Sequence, residues 1–524
     1  MSTKQPQAVP ARPGVVWSQR PAGYGWAVFC LHPIDFDCAI ADGAVRHSLI
    51  ILIALDVEKV DYPHVPLFSS LLFSPFPPKF LIRLNSSRRS VMPSTNGHTN
   101  GHVVPKTARR HPLEQLSSDE VDLARQVVLD ARNAMIVFRN VFAVEPLKAE
   151  MTKFLAAEHA GTLSADTPRP PRLACIQYDV VHDDKNHDYM ESHVNLASGE
   201  EIKHRVLDKT FQQSLTVDEF NAFERACRDS PLFKDAIAQF ELPEGFEIAI
   251  DPWPYGGPDL GEEVPRYTQG LIFAKDLRSK NLDSNHYSYP LPIIPILDTY
   301  QGEIIRIDKL ATGGKEDGLK YGTASKRIID HCKSGEYVPE LLDTPLRNDL
   351  KPINVTQPDG ASFKVTNDSL VEWGPWSFRV GFNPRECATI HDARFEGRNV
   401  FYRLSLSEMT VPYGDPRPPF HRKQAFDFGD AGAGRAANNL GLGCDCLGTI
   451  KYIDAMLVST DGKPSISKNV VCIHEQDNGI LWKHTNFRTN RAVVVRNREL
   501  VVQFIITLAN YEYIFAYKFD LAGG

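Results

Sequence analysis

The sequence lacks any hydrophobic run long enough to cross a membrane. The longest such run, residues 49–55, is far shorter than the roughly 20 residues that a spanning helix requires. It also lies too far from the start of the chain, behind too many polar residues, to be a secretory signal. We therefore expect no membrane partner and an intracellular protein.

An excess of basic charge and a cysteine framework are also missing. The 58 Lys and Arg residues face 65 Asp and Glu residues, a net charge of −7, whereas a nucleic-acid-binding protein usually carries a basic stripe. Nine cysteines in 524 residues are too few for a disulfide scaffold, and their odd number leaves at least one free. No His-x-His pair occurs among the 17 histidines. We expect no nucleic-acid partner.

The composition that is present indicates packed, sheet-rich domains. Hydrophobic residues make up 42% and aromatic residues 10% of the chain, which is ample for hydrophobic cores. The 37 prolines exceed the 34 glycines, and this favours loop-rich β structure over helical bundles. At about 150 residues per domain, the length corresponds to three or four domains.

Local patterns divide the chain into an extension, two modules, a linker and a sandwich. Residues 1–111 show no sustained helix or strand period and end in a polar stretch after Met92, so we expect disorder or a spurious extension. Capping boxes at residues 117–120 and 216–219 open amphipathic helices that precede strand-like runs. This repeat predicts two related α+β modules, residues 112–213 and 214–311.

The C-terminal part has a different pattern. Residues 312–352 are predicted to be a linker, and residues 353–524 alternate in the manner of an antiparallel β-sandwich. The predicted strands there include residues 373–382, 492–495 and 500–507. The fold class is therefore predicted to be α+β, with two small modules followed by a sandwich domain that is incomplete in this sequence.

A glycine-rich segment is the first candidate for chemistry. Residues 432–437, Gly-Ala-Gly-Arg-Ala-Ala, fit the G-x-G-x-x-A pattern of dinucleotide sites. Such a site needs a buried strand just before it, but Asp427 and Asp430 occupy that position, and their charge would repel a pyrophosphate. We therefore predict a flexible loop.

An aspartate and an aromatic stripe are the other candidates. Asp427 lies between Phe426 and Phe428, so burial would raise its pKa toward that of a general base. The alternative, a turn aspartate that accepts backbone hydrogen bonds, is favoured by the local sequence alone. A hydrolase pair with Asp430 is a third interpretation. The alternating aromatic residues between Tyr511 and Tyr517 share one strand face, which is typical of core packing.

Read together, these segments resemble the motifs of copper amine oxidases. Residues 507–513 read Thr-Leu-Ala-Asn-Tyr-Glu-Tyr, and residues 411–416 read Val-Pro-Tyr-Gly-Asp-Pro. Residues 426–430, residues 442–448 and the Cys-x-His-Glu at residues 472–475 also match motifs of that family, in the same order. The resemblance extends over residues 112–524.

The resemblance implies an activity and residue roles. A copper amine oxidase converts a primary amine and O₂ into an aldehyde, ammonia and hydrogen peroxide, using copper and topaquinone, whose carbonyl condenses with the amine. Tyr511 corresponds to the topaquinone precursor and Schiff-base residue, and Asp427 to the proton acceptor. Tyr413 corresponds to the tyrosine that hydrogen-bonds the quinone oxygen, and Asn510 to the residue that orients the ring.

Further implications concern structure and location. Cys446 and Cys472 correspond to a disulfide of the family. Ala425 occupies the position of a bulky gating tyrosine in some members, which implies a wide channel mouth. Members usually form homodimers, and those without a signal peptide are cytoplasmic or peroxisomal.

The copper ligands have no counterpart in this sequence. In the family they are a His-x-His pair and a more distant histidine beyond the quinone tyrosine, whereas this sequence has 13 residues after Tyr511. No residue is therefore assigned as a metal ligand, and we expect the chain as written neither to hold copper nor to form the quinone. The alternative function is a non-catalytic remnant or interaction module.

Overall fold

The computed structural model describes residues 110–257, 266–310, 325–415, 420–421, 424–509 and 511–524. The predicted N-terminal extension therefore lies almost wholly outside the described residues, as do the first part of the predicted linker and Asn510. Among the described residues, no helix has both the length and the apolar character needed to cross a membrane.

The first module consists of two helices and one antiparallel sheet. The capping box that precedes α1 is present: the Ser117 hydroxyl accepts the Glu120 N–H at 3.3 Å, and the Glu120 carboxylate accepts the Ser117 N–H at 2.8 Å. The four strands of the sheet follow the order β1-β2-β3-β4. Apolar residues of α1 pack on one face of this sheet. The elements are α1 (Ser118–Ala131), β1 (Met135–Ala143), α2 (Lys148–His159), β2 (Leu173–Val181), β3 (His187–Asn195) and β4 (Glu200–Val206).

The second module repeats this plan of a capped helix on an antiparallel sheet. The Thr216 hydroxyl accepts the Glu219 N–H at 3.2 Å, and Glu219 accepts the Thr216 N–H at 2.9 Å. The sheet order is β5-β6-β8-β9, and β7 also pairs with β6. The elements are α3 (Val217–Asp229), α4 (Pro231–Ile237), β5 (Phe246–Pro254), β6 (Tyr267–Asp276), β7 (Pro290–Leu291), β8 (Ile293–Asp298) and β9 (Glu303–Lys309).

Two antiparallel sheets form the sandwich, and they meet at a shared aromatic core. The rings of Phe378 and Phe519, one from each sheet, stack with centroids 4.4 Å apart. The first sheet contains β10 (Phe363–Thr366), β11 (Leu370–Trp373), β12 (Trp376–Asn383), β13 (Cys387–Phe395) and β14 (Arg398–Leu404). The second contains β17 (Lys451–Val458), β18 (Pro464–Thr485), β19 (Ala492–Leu508) and β20 (Tyr511–Asp520). A small hairpin, β15 (Thr410–Pro412) with β16 (Gln424–Phe426), leads into the short helix α5 (Asp427–Asp430).

Three predicted strands of the sandwich, residues 373–382, 492–495 and 500–507, were wrong in their bounds. The predicted strand 373–382 is broken by a tight turn at residues 374–375, where Gly374 has a φ of +52°, and the chain reverses so that Trp373 pairs with Trp376. The predicted strands 492–495 and 500–507 are one continuous strand, β19, because β18 supplies hydrogen-bonding partners along both parts.

A buried ion network joins the first module to the second. The Arg139 side chain, 2% exposed, donates to Asp179 at 3.0 Å and to Glu219 at 2.6 Å. Gln213 also donates to Asp179, at 2.8 Å, and Arg266 donates to Glu219 at 3.1 Å. The carboxylate that caps α3 is thus also an ion-pair partner of the first sheet.

Candidate active site

Asp427 begins α5, a single helical turn that directly follows β16 and forms the start of the candidate site. The carboxylate of Glu408 holds this turn, because it accepts the N–H of Phe428 at 3.0 Å and that of Gly429 at 3.1 Å. Arg385 in turn donates to Glu408 at 2.9 Å. Phe428 is buried in the sandwich core, whereas Phe426 is 42% exposed. The two phenylalanines that flank Asp427 therefore differ, since only Phe428 is buried.

The support from Glu408 leads to a testable prediction. Replacing Glu408 with alanine leaves two backbone N–H groups of the turn without acceptors, which is expected to cost roughly 1–3 kcal/mol of unfolding free energy. Hydrogen exchange should quicken at residues 426–430. Glu372→Ala is the control, because Glu372 is half exposed and 3.6 Å from an exposed lysine; its effect should stay within about 0.5 kcal/mol. Equal effects of the two changes would contradict the assigned support.

The tyrosines of β20 approach Asp427 from the second sheet. Tyr511 is 54% exposed at the N-terminal end of this edge strand, and its ring stacks on that of Tyr513 with centroids 6.1 Å apart. Burial raises the pKa of Tyr513, and the hydrogen-bonded Asp427 carboxylate raises it further. Of the aromatic stripe, Phe515 is buried in the core, but Tyr511 is not, so the core interpretation was wrong at that end.

Tyr413 belongs to the same group of side chains. Burial is the main cause of its raised pKa, and the neighbouring Tyr511 and the carboxylates of Asp427 and Asp430 add to it. Both Tyr413 and Tyr513 are therefore protonated at neutral pH and can act as hydrogen-bond donors. The structure thus brings together Asp427, Tyr413 and Tyr511, while Asn510 lies outside the described residues.

The second module supplies a wall of the site that sequence reasoning missed. The Trp253 ring, on β5, meets the Tyr413 ring edge to face at 5.3 Å. Tyr287 has a raised pKa, caused first by burial, then by the Asp251 carboxylate and, more weakly, by Tyr337 and Tyr511. These side chains are more than 100 residues from the motifs, and no local signal in the sequence connects them to the site.

Other predicted features have structural explanations. Asp430 accepts the N–H of Phe426 at 3.1 Å, which is a turn-stabilising contact. Ala425 is buried, with 5% of its surface exposed, and the wide channel mouth inferred from its small size stays a prediction. Cys446 and Cys472 form a disulfide, as the resemblance implied.

The glycine-rich segment is a loop, as predicted, but it is tightly packed. A Cβ on Gly432 would lie 2.6 Å from the carbonyl oxygen of Pro384, and one on Gly434 would overlap the carbonyl oxygen of Asn383. The Ala433 N–H donates to the Arg385 carbonyl at 2.8 Å. These glycines therefore allow two backbone segments to approach closely, which explains them without a bound dinucleotide.

Gly434→Ala is expected to destabilise the fold. The added methyl group must displace backbone, and overpacking of this kind costs about 1–3 kcal/mol. The midpoint of chemical unfolding should fall accordingly. Gly257→Ala is the matched control, since nothing lies within 4 Å of a Cβ built there and its backbone needs no positive φ. An unchanged midpoint for Gly434→Ala would contradict the close approach.

The described residues hold two groups of side chains that could bind a metal. One is Cys446, Cys472 and His474, but both of its sulfurs are in the disulfide. The other is Cys175, Glu191 and His193, in the first module. Neither group contains more than one histidine or includes Tyr511. The described residues therefore do not fit a three-histidine copper site beside Tyr511.

The fold and the site define a multidomain α+β protein in which a sandwich presents an aspartate and three tyrosines at a sheet edge. Residues 364–524 match the copper amine oxidase enzyme domain. This match identifies residues 364–524 as a copper amine oxidase domain.

Relatives and solved structures agree with this assignment. The chain is 59% identical over 415 residues to copper amine oxidase 1 of Aspergillus niger, covering 79% of this chain and 62% of the relative. It is 37% identical to the peroxisomal primary amine oxidase of Pichia angusta, covering 67% of this chain and 49% of the relative. The copper-containing benzylamine oxidase from Hansenula polymorpha superposes with a TM-score of 0.72 and 38% identity, over 79% of this chain and 63% of that structure.

These matches confirm the predicted family and fold class. The chain spans between about half and three fifths of the length of these relatives. The module boundaries and the roles of individual residues stay predictions.

Proposed function

We propose that this chain provides the amine-binding and proton-accepting part of a primary-amine oxidase. The overall reaction consumes a primary amine, O₂ and water and yields an aldehyde, ammonia and hydrogen peroxide. The observation that supports this most is the convergence of Asp427, Tyr413, Tyr511 and Tyr513 within the matched enzyme domain.

Asp427 is proposed to accept the α-proton of the amine. A general base must lie within hydrogen-bond reach of the proton it removes and must be held in position. The turn anchored by Glu408 fixes the backbone of Asp427, and the hydrogen bond with Tyr513 fixes its carboxylate. The proton then resides on a carboxylate oxygen of Asp427 until it is released to solvent or product.

Tyr511 is the proposed source of topaquinone, and its surroundings fit that group. When present, topaquinone supplies an electrophilic carbonyl and a sink for the electrons of the amine. The half-exposed Tyr511 ring is accessible to small molecules. Tyr413 and Tyr513, kept protonated by their raised pKa, are available to donate hydrogen bonds to oxygens beside Tyr511.

Copper is proposed only on the family resemblance. No His-x-His pair occurs in the sequence, and the described residues do not fit the metal beside Tyr511. No residue here is assigned as a copper ligand, and no step is derived through the metal. A homodimer and a cytoplasmic or peroxisomal location are likewise proposed from the family, in line with the peroxisomal relative of Pichia angusta.

The test uses the part of a relative that lies beyond its match with this chain. This chain should be joined to the segment of the Aspergillus niger relative that follows the aligned region, loaded with copper in air, and assayed for hydrogen peroxide with methylamine and benzylamine. We expect amine-dependent peroxide and a positive quinone stain, both lost in Tyr511→Phe and kept in Tyr402→Phe, a half-buried tyrosine of β14 outside the site. Turnover that survives Tyr511→Phe would contradict the proposal, and so would peroxide release from the 524-residue chain alone.

A further inference from the structure

One face of the first-module sheet carries chemistry that amine oxidation does not use. Strands β2 and β3 pair so that Cys175 lies opposite His193 and Gln177 lies opposite Glu191. Side chains alternate between the two faces of a sheet. The neighbours Ala174, Ile176, Met190 and Val194 accordingly fill the core under α1. The other face therefore presents a thiol, an imidazole and a carboxylate together.

The register brings the three potential ligand atoms close to one another. Directly opposed residues of antiparallel strands have Cβ atoms roughly 4.5–5.5 Å apart. The sulfur of Cys175, a ring nitrogen of His193 and a carboxylate oxygen of Glu191 all lie within 4.8 Å of one another. Because the sheet fixes this spacing, one ion can contact all three atoms after small side-chain rotations.

The cluster opens onto a cavity of about 520 Å³ between the first module and the sandwich. Cys175, Glu191 and His193 line one wall, and the loop that includes Arg435 lines another. His391 also lines this cavity, and its buried Nδ1 has no hydrogen-bond partner among the described residues. A polar cavity of this size leaves room for an additional ligand, such as water.

Neighbouring side chains hold the carboxylate in place. Arg205 donates two hydrogen bonds to Oε1 of Glu191, at 3.1 and 2.8 Å, and Gln177 donates a longer one, 3.4 Å, to Oε2. Hydrogen bonds of this kind orient metal-ligating carboxylates and tune metal affinity. Cys175 is buried and not part of a disulfide, so its sulfur is available as a ligand.

We propose that Cys175, His193 and Glu191 form a Zn²⁺ site whose fourth position faces the cavity. Thiolate and imidazole select zinc over cations that prefer oxygen, and three protein ligands with one open position match tetrahedral zinc. On binding, the S–H bond of Cys175 breaks, a sulfur–zinc bond forms, and the proton passes to solvent. No electron is transferred. The three proposed ligands do not include Asp427 or Tyr511, and the test does not depend on amine turnover.

The experiment is metal binding to the full chain. Isothermal titration with Zn²⁺ in two buffers of different ionisation enthalpy should show one equivalent bound and about one proton released. Co²⁺ should give a thiolate-to-cobalt charge-transfer band. Cys175→Ser should abolish the band, and Arg205→Gln should weaken Zn²⁺ binding about 10–100-fold, the usual effect of removing a partner of a metal ligand. Mg²⁺ should not compete.

Matched controls separate this site from other cysteines and histidines. The band should persist in Cys444→Ser, which removes an exposed free thiol, and in Cys30→Ser/Cys38→Ser. It should also persist in His204→Ala, an exposed histidine of β4, whereas His193→Ala should lose it. A wild-type chain that binds no zinc would overturn the proposal irrespective of how any variant folds. The proposal would also be overturned if Cys444→Ser removed the thiolate-to-cobalt band and Cys175→Ser left it in place.

Discussion

Replacing Asp427 with asparagine is expected to lower amine turnover by about 10²–10⁴-fold, the usual contribution of a positioned general base. The amide has nearly the shape of the carboxylate but cannot accept a proton at neutral pH. The turn held by Glu408 is unaffected by the change, so the loss should fall on kcat and not on folding. Peroxide release by the chain joined to the segment of the Aspergillus niger relative that follows the aligned region measures this loss.

Asp430→Asn is the control for this change. Asp430 lies three residues away and accepts a backbone N–H of the same turn. Its replacement therefore removes one negative charge from the turn but does not remove the proposed base. We expect less than a tenfold effect, because an amide oxygen can still accept that hydrogen bond. If Asp427→Asn kept more than a tenth of the activity, Asp427 would not be the base. Turnover without O₂ would instead favour a hydrolase.

Removal of Asp179 is expected to have the largest effect on stability. Asp179 is fully buried and binds Arg139, which is itself 2% exposed. Breaking a buried ion pair by deleting one partner typically costs about 3–5 kcal/mol, and Arg139 would keep Glu219 as its one remaining carboxylate partner. We expect about that loss of unfolding free energy for Asp179→Ala, measured by urea denaturation.

Asp188→Ala is the matched control, since it removes an aspartate of the neighbouring strand whose ion pair with His182 is exposed. Exposed pairs contribute about 0–1 kcal/mol. If both variants unfolded at the same urea concentration, the buried network would not hold the two modules together as described.

The same network predicts a dependence on acid. Burial alone would raise the pKa of Asp179, but the hydrogen bond from His187 and the attraction of Arg139 outweigh it, and the net pKa is lowered. The pKa of Glu219 is also lowered, because the attraction of Arg266 and Arg139 outweighs the effect of burial. A carboxyl group whose pKa is lower in the folded state stabilises the fold at any pH above its unfolded-state pKa. That stabilisation is lost as the pH falls through the folded-state pKa. The unfolding free energy of Asp179→Ala should therefore fall less steeply than that of the wild type as the pH is lowered into the acid range.

Helix starts could be read from the sequence because capping is local. Ser117 with Glu120, and Thr216 with Glu219, lie within four residues of one another, and both boxes are formed. Helix α2 was missed because its first residue has no capping side chain before it. Strand bounds were less certain, since a partner strand decides where a strand continues, as β18 does for β19.

The sequence by itself determined the family, the order of the motifs and the aspartate and tyrosines that the resemblance singled out. The tertiary structure alone decided that Trp253 and Tyr287 of the second module face those residues, that Glu408 anchors the turn, and where the Cys175 cluster lies. The Cys175 cluster has no spacing signal in the sequence because strand register brings its residues together. Pairing across a sheet joins residues with no fixed separation along the chain, and only the folded chain shows it.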